Sequence, residues 1–320
     1  MKSPKIVILD AATLGDVNLS KLEEFGTLEI FTTTQLEEVA ARIQDAEIVV
    51  TNKVPINRSI LESNHTLKLI CVAATGYNII DIQCAAEQGI IVTNAVGYST
   101  NSVVAHTFSM LFYLSHHSRY FDDYTRNKKW CESPTFNHLG ESFYELSGKK
   151  WGIIGMGAIG RKIADIAQAF GCQVSYFSTS GKNREQPFKC IDLDQLLQQS
   201  HIVSIHAPLN EKTANLIDEA QLKMMSSEAI LLNLSRGGIV NEAALASALD
   251  LGEIAAAGLD VLETEPPQED NPLFQIENKD RLLITPHIAW ISHESRQRLV
   301  TEVEKNIEAF LKGEKRNQVQ

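Results

Sequence analysis

Lys150-Trp151-Gly152-Ile153-Ile154-Gly155-Met156-Gly157-Ala158-Ile159-Gly160 is the stretch that decides the fold. A short apolar run ends in Gly155, Gly157 and Gly160, at the G-x-G-x-x-G spacing. A helical pattern rich in Ala and Ile follows from about Arg161 to Phe170, then a second apolar run, Gln173 to Phe177. Strand, glycine turn, helix and strand in that order predict a dinucleotide-binding unit. The first glycine allows the tight turn, the second lets a pyrophosphate approach the backbone, and the third lets the helix pack closely on the strand. The helix start, at Ala158 and Ile159, offers unpaired N–H groups and a partial positive charge to the phosphates.

Before this unit, strand and helix patterns alternate. Lys5–Leu9, Leu28–Thr32, Ile48–Thr51, Leu69–Ala73 and Ile90–Thr93 read as buried strands rich in Ile and Val. Gln35–Gln44, Arg58–Glu62 and Ile82–Gln88 read as helices between them. The series predicts a parallel sheet covered on both faces. Asn101–Tyr120 is read as one long helix, and Phe121 to Gly148 as irregular. Trp130, Phe136, Phe143 and Tyr144 in that arm either meet another subunit or cover their own domain. After the glycine unit, strands are predicted at Ile202–Ile205, Ile230–Leu234, Ala256–Asp260 and Leu282–Ile284, and a final helix at about His293 to Leu311. Two α/β domains joined by two crossings are expected to make a cleft. The ligand is then expected outside the carboxyl ends of the strands, at the topological switch points.

The bulk numbers agree with this. At 320 residues, 44% hydrophobic and 22% charged, the chain has the length for two domains and the composition of a soluble protein. A formal net charge of −11 argues against nucleic acid or an anionic membrane as partner. Cys71, Cys84, Cys131, Cys172 and Cys190 are odd in number and form no C-x-x-C, which points to reduced thiols rather than a disulfide framework or a metal cage. Met1-Lys2-Ser3-Pro4 leads directly into a strand-like run, and no stretch approaches the ~18 apolar residues of a membrane span. A cytoplasmic protein with no membrane partner and no metal is the expectation.

Three polar residues follow predicted strands of the second half. Arg236 follows Leu231 to Ser235 and precedes Gly237-Gly238; Glu265 follows the Gly258-Leu259-Asp260-Val261-Leu262 strand end; His287 follows Leu283 to Pro286. All three are expected on the cofactor side of the sheet. The fork of Arg236 can bind a carboxylate bidentately and polarise an adjacent carbonyl. His287 can donate a proton to a developing alkoxide, or remove it in reverse. A carboxylate such as Glu265 against the other ring nitrogen would keep the acid form populated. Singly, each residue reads as well as a surface, capping or loop residue. Their recurrence at three successive strand ends beside a dinucleotide motif points to hydride transfer.

With Gly155-x-Gly157-x-x-Gly160, Leu234-Ser235-Arg236-Gly237-Gly238-Ile239-Val240, Gly258-Leu259-Asp260-Val261, Glu265-Pro266-Pro267 and Thr285-Pro286-His287-Ile288-Ala289, the chain resembles the D-isomer-specific 2-hydroxyacid dehydrogenase family over essentially its whole length. The resemblance implies two Rossmann-like domains with parallel sheets. Residues 1–100 and 290–320 would form a flavodoxin-like substrate domain, and residues 101–289 the NAD(P)-binding domain. It implies that Arg236 binds the substrate carboxylate, that His287 is the acid/base and that Glu265 orients it. Asp260 matches the position that helps hold the nicotinamide carboxamide. His206-Ala207-Pro208 resembles the loop flanking the adenosine, and Thr213, Leu234 and Ser235 fall among the cofactor-binding positions. Ala74-Thr75-Gly76-Tyr77-Asn78 resembles the loop whose backbone N–H groups cradle the substrate carboxylate; bottom-up, a glycine at 76 suits close approach of backbone to an anion.

An A-T-G-Y loop and Trp290 soon after His287 resemble the glycerate dehydrogenase (hydroxypyruvate reductase) branch. Trp290 either shapes the substrate pocket or packs. The implied reaction moves a hydride between NAD(H) or NADP(H) and a small 2-keto acid, hydroxypyruvate or glyoxylate, in a homodimer.

Two departures stand out. NAD-specific members carry an acidic residue after the second Rossmann strand, which repels a 2′-phosphate. Here Ser178-Thr179-Ser180 occupies that place, followed by Lys182 and Arg184, which predicts that NADPH is accepted. The alternative is that both bases are solvated loop charges and NAD binds regardless. Ser102-Val103-Val104-Ala105-His106 lacks the acidic or amide residue that many relatives have before the His; His106 reads as a helix-packing residue. A dinucleotide-sensing corepressor on the same fold remains a competing reading. Formate oxidation is disfavoured, because Glu265 supports a proton transfer that reaction does not need.

Overall fold

The computed structural model describes residues 3–182 and 186–319, so Arg184 lies outside the described residues. The first part alternates β1 (Lys5–Ile8), β2 (Thr27–Ile30), α1 (Leu36–Arg42), β3 (Ile48–Thr51), α2 (Arg58–Ser63), β4 (Leu69–Val72), α3 (Ile82–Glu87) and β5 (Ile91–Thr93). There follow α4 (Thr100–Ser115), α5 (Ser118–Arg126), β6 (Lys150–Ile154), α6 (Ala158–Ala169), β7 (Gln173–Phe177), β8 (Lys189–Cys190), α7 (Leu193–Gln199), β9 (Ile202–Ile205), α8 (Glu219–Met224), β10 (Ile230–Asn233), α9 (Glu242–Leu251), β11 (Ala256–Leu259), β12 (Leu282–Ile284) and α10 (His293–Leu311). The chain divides into two compact units. One holds the residues up to Ser99 together with those from Trp290; the other is Thr100–Ala289.

In the first unit, five parallel strands lie in the order β2-β1-β3-β4-β5, the flavodoxin-like arrangement. Successive residues of a strand face opposite sides of its sheet. Val7, Val49 and Ile70 accordingly enter one core layer, whereas Ile6, Ile8, Ile48, Val50 and Leu69 enter the other with Leu299, Val303 and Ile307 of α10. β3 and β4 are buried along their whole length, which is why they read as unbroken Ile/Val/Leu runs.

The second unit holds seven parallel strands in the order β12-β11-β10-β9-β6-β7-β8. The strand order reverses beside β6, at the β6–β9 neighbours, so the glycine turn leaves the sheet at a switch point. Trp151 and Tyr176 are fully buried, and Trp151 Nε1 donates to Ser204 Oγ on β9 at 2.9 Å. That bond satisfies the indole N–H inside the core.

The expected single helix Asn101–Tyr120 is two helices. α4 stops at Ser115, His117 turns left-handed at φ 49°, and α5 starts at Ser118. No residue of α5 is buried, so no core contact continues the apolar stripe of α4 through the polar His116-His117-Ser118 step. The arm read as irregular therefore begins with helix as far as Arg126 and adds a short 3₁₀ turn at Lys129–Glu132. Three helices went unanticipated: α7, α8 and α9. Capping signals were present for α8 and α9. Asp218 and Gln221 form a capping box, Asn241 Oδ1 accepts from Ala244 N at 3.0 Å, and Gly252 closes α9 at φ 68°. All five cysteines are free thiols. Among the described residues, no helix is long and apolar enough to cross a membrane.

Candidate active site

At the carboxyl end of β6, Gly155 adopts φ +94°, where a side chain is strained. A Cβ there would also lie 2.8 Å from His206 O, at the end of the adjacent β9. A Cβ on Gly160 would lie 2.2 Å from Gly155 O, so this glycine lets α6 sit against the turn. Gly157, the N-cap of the twelve-residue α6, is different: no protein atom lies within 4 Å of the place its Cβ would occupy. Packing therefore does not require a glycine at 157, and that side of the helix start is open to a ligand.

His206 leaves β9 beside this turn. Both of its ring nitrogens are buried and lack a hydrogen-bond partner among the described residues. Burial pushes its pKa down to about 3, so the ring is neutral. Orphaned buried nitrogens are uncommon in native structures. Together with the open helix start, they fit a polar dinucleotide in this crevice. Ser235 Oγ donates to Ala207 O, tying the exits of β10 and β9 together.

Thr213, one of the expected cofactor residues, is fully buried. Its hydroxyl donates to Pro208 O at 2.7 Å and accepts from Asn210 N at 2.8 Å. Thr213 thus braces the loop from within. Leu234 is likewise a core residue. At the end of β7, Ser178 Oγ donates to Lys182 O at 2.5 Å and Ser180 Oγ accepts from Lys182 N at 3.2 Å. The loop is folded on itself, with no carboxylate at Ser178, Thr179 or Ser180.

The three candidate chemical groups emerge from neighbouring strands. Arg236 follows β10, Glu265 follows β11 and His287 follows β12. His287 Nδ1 lies 2.6 Å from Glu265 Oε2. A carboxylate accepts, so Nδ1 carries the proton and Nε2 is left for exchange. Glu265 is itself braced, since its Oε1 accepts from Leu262 N at 3.0 Å. Arg236 donates from Nη1 to Ser235 O at 2.7 Å, and no carboxylate pairs with its guanidinium among the described residues. Gly237 behind it has no room for a side chain: a Cβ would lie 1.9 Å from Leu262 O, so the Arg236 turn and the Glu265 turn are packed backbone to backbone.

Asp260 is buried and its carboxylate is heavily used. It accepts from Thr285 Oγ1 at 2.6 Å and from the backbone N–H groups of Ile288 and Ala289, both at 2.9 Å. Its backbone carbonyl accepts from His287 N at 2.9 Å. Asp260 therefore holds the turn on which His287 stands at φ +55°. Sequence reasoning did not single out Thr285, and it took His106 for a packing residue. His106 Nε2 lies 3.1 Å from Thr285 Oγ1 and 3.6 Å from Asp260 Oδ1. Thr285 gives its proton to Asp260, so it must accept from His106. Burial lowers the His106 pKa, with the nearby Asp260 charge opposing. The sequence signal was spacing: Ser102 and His106 are four apart on α4, and Ser102 Oγ donates to Ala289 O at 2.6 Å.

In the first unit, Ala74-Thr75-Gly76 follows β4, and Thr75 Oγ1 donates to Ala95 O at 3.0 Å. Trp290 packs edge-on against Tyr98, with ring centroids 6.1 Å apart, and joins the core beside α10. Of its two readings, packing is the one with visible contacts.

The profile of the D-isomer specific 2-hydroxyacid dehydrogenase NAD-binding domain matches residues 108–289, and the chain belongs to that family. It is an NAD(P)-dependent oxidoreductase acting on the CH–OH group of 2-hydroxy acids. The chain is similar to the hydroxypyruvate reductase of Blautia hydrogenotrophica, 39% identical over 316 residues and 97% of each chain. It is also similar to the glycerate dehydrogenase of Methylorubrum extorquens, 38% identical over 320 residues and 99% of each. Among solved structures, an acyclic imino acid reductase in complex with NADPH and D-Arg aligns over 99% of this chain and 100% of that one, with a TM-score of 0.89 and 29% identity.

Proposed function

We propose that the chain reduces a small 2-keto acid, hydroxypyruvate or glyoxylate, to the D-2-hydroxy acid. The observation that carries this reading is the 2.6 Å Glu265–His287 pair one strand from Arg236, on the same sheet edge as the glycine turn. A bound reduced dinucleotide would supply the hydride; Gly155, Gly157, Ala158, Ile159 and Gly160 would hold its pyrophosphate, with His206, Ala207, Pro208 and Ser235 flanking. Arg236 grips the substrate carboxylate with its fork and draws electron density toward the neighbouring carbonyl oxygen. Ala74-Thr75-Gly76 adds backbone N–H groups to that carboxylate. As the carbonyl carbon gains the hydride, His287 Nε2 gives its proton to the oxygen, and Glu265 stabilises the imidazolium before transfer. The reverse reaction runs the same proton back to His287. The similar hydroxypyruvate reductase and glycerate dehydrogenase support the substrate class.

The test is a panel of 2-keto acids with each reduced cofactor, followed by loss of nicotinamide absorbance. Hydroxypyruvate and glyoxylate should lead. His287→Ala should lose about a thousand-fold in kcat with dinucleotide affinity nearly intact, as expected for loss of a general acid. A large loss of cofactor binding would remove His287 from the proposed role.

NADPH should serve as cofactor, because Ser178 leaves no carboxylate to repel a 2′-phosphate. We also propose a homodimer. Trp130, Phe136, Phe143 and Tyr144 are exposed in the arm after α5. A groove of about 530 Å³, lined by Leu111, Tyr120, Tyr144, His201 and Arg281, lies beside it at the amino ends of the strands. Light scattering on a sizing column decides the oligomeric state. Five free thiols support a reducing, cytoplasmic setting.

A further inference from the structure

The segment after α10 returns to the sheet of the first unit. Val319 N donates to Val92 O at 3.1 Å, Asn94 N donates to Asn317 O at 3.1 Å, and Thr93 and Gln318 form an antiparallel bridge. The segment thus covers the edge of β5. Its neighbour on α10, Asn306, is a polar side chain only 1% exposed, which requires partners. Asn306 Nδ2 donates to Asn94 O at 2.9 Å, and Asn306 Oδ1 accepts from Arg316 Nη1 and, at 3.2 Å, from Asn317 Nδ2. Arg316 is in turn held by Glu302 Oε2 at 2.5 Å.

Asn94 is therefore gripped through both its backbone groups. Its side chain then reaches the loop after β4, where Nδ2 donates to Thr75 O at 2.8 Å. Ala95 N donates to Ala74 O at 2.9 Å, and Thr75 Oγ1 donates back to Ala95 O at 3.0 Å. Val319 and Ala74 also pack on the same core layer. A continuous chain of polar contacts runs Glu302, Arg316, Asn306, Asn94, Thr75.

We propose that Arg316–Val319, acting through Asn306 and Asn94, is a positioning element that sets the geometry of the Ala74–Gly76 loop and through it the affinity for the 2-keto acid. The proposal rests on the reading that this loop binds the substrate carboxylate. Backbone N–H groups recognise an anion only when held in register, because a misplaced donor loses most of its hydrogen bond. Arg316 touches neither substrate nor cofactor; it acts through two other residues.

The experiment compares Arg316→Met, Arg316→Lys, Asn306→Asp and Gly76→Ala, using hydroxypyruvate and NADPH. Arg316→Met should raise KM for hydroxypyruvate about five-fold, the loss expected for a partly exposed charge-assisted contact, with kcat within about two-fold. The dissociation constant of NADPH, read by protein fluorescence, should stay unchanged. Arg316→Lys should restore most of the affinity. Asn306→Asp keeps the acceptor for Arg316 but removes the donor to Asn94, and should raise KM similarly; it carries the test if Arg316→Met does not fold. Amide hydrogen exchange in the peptide spanning Thr75 should speed up in both variants. A lowered melting temperature with unaltered KM and unaltered exchange at Thr75 would overturn the proposal and leave Arg316 a structural residue. Gly76→Ala separates the two levels. If it leaves KM unchanged, the reading of the loop fails; if it raises KM while the Arg316 and Asn306 variants do not, the loop reading stands and the positioning element falls.

Discussion

His206 should impose a measurable pH dependence on stability. An unfolded histidine titrates near pH ~6.5, whereas burial holds the folded ring at about 3. The folded-state value is depressed, so the contribution is complete above pH ~6.5 and is lost as pH falls toward about 3. In that window the unfolded chain binds about one proton more than the folded chain, and stability drops by ~1.4 kcal/mol per pH unit. His206→Leu removes the titrating group together with two buried nitrogens that have no partner among the described residues. Urea unfolding of both proteins from about pH 8 to about pH 4 gives the difference directly, because carboxylates common to the two cancel. At the upper end the leucine variant should be at least as stable as the parent, since unsatisfied buried polar atoms cost ~1–3 kcal/mol. From about pH 6 to pH 4 the variant should gain ~3 kcal/mol relative to the parent. A flat difference would refute the reasoning, for it would mean that the ring is hydrated or paired. The same variant should bind dinucleotide more weakly, which fluorescence titration reads independently.

Other perturbations have equally definite outcomes. Gly155→Ala places a methyl group at φ +94° and 2.8 Å from a backbone carbonyl; it should cost about 3 kcal/mol or more in chemical denaturation. Arg236→Lys keeps the charge and loses the fork, so KM for the 2-keto acid should rise and kcat fall together, by about ten-fold or more in kcat/KM. Unchanged kinetics would take Arg236 out of the site. Ser178→Asp restores a carboxylate at the end of β7 and should shift the ratio of kcat/KM values toward NADH by about ten-fold or more, the scale of placing one charge against a phosphate. A strong NADH preference in the parent would defeat the premise of that experiment.

Much of the fold could be read before any coordinates, for a physical reason. Strands buried on both faces must be apolar throughout, so Ile48–Thr51 and Ile202–Ile205 were delimited to the residue. α10 was delimited equally well, because Leu299, Val303 and Ile307 repeat at helical spacing over a long element. Short helices such as α7 and α8 escaped, since six or seven residues give too few repeats to show a period; for α8 the Asp218–Gln221 capping box was the better signal. The α4–α5 break escaped because a single residue, His117, goes left-handed without a glycine to announce it. The placement of Arg236, Glu265 and His287 was legible because each follows a strand at its carboxyl end. Thr285 and His106 were not, because their contact spans 179 positions of the chain.

By itself, the sequence determined the two parallel α/β units, the glycine turn and the chemical types available at the strand ends, because periodicity and turn chemistry are local properties of the chain. Only the tertiary structure decided how those side chains are employed. It set the 2.6 Å approach of His287 to Glu265, committed the Asp260 carboxylate to the His287 turn, kept Thr213 inside its loop and left the His206 nitrogens without partners among the described residues. Hydrogen-bond partnership and burial depend on which distant segments the fold brings within about 3 Å, and no local pattern specifies that.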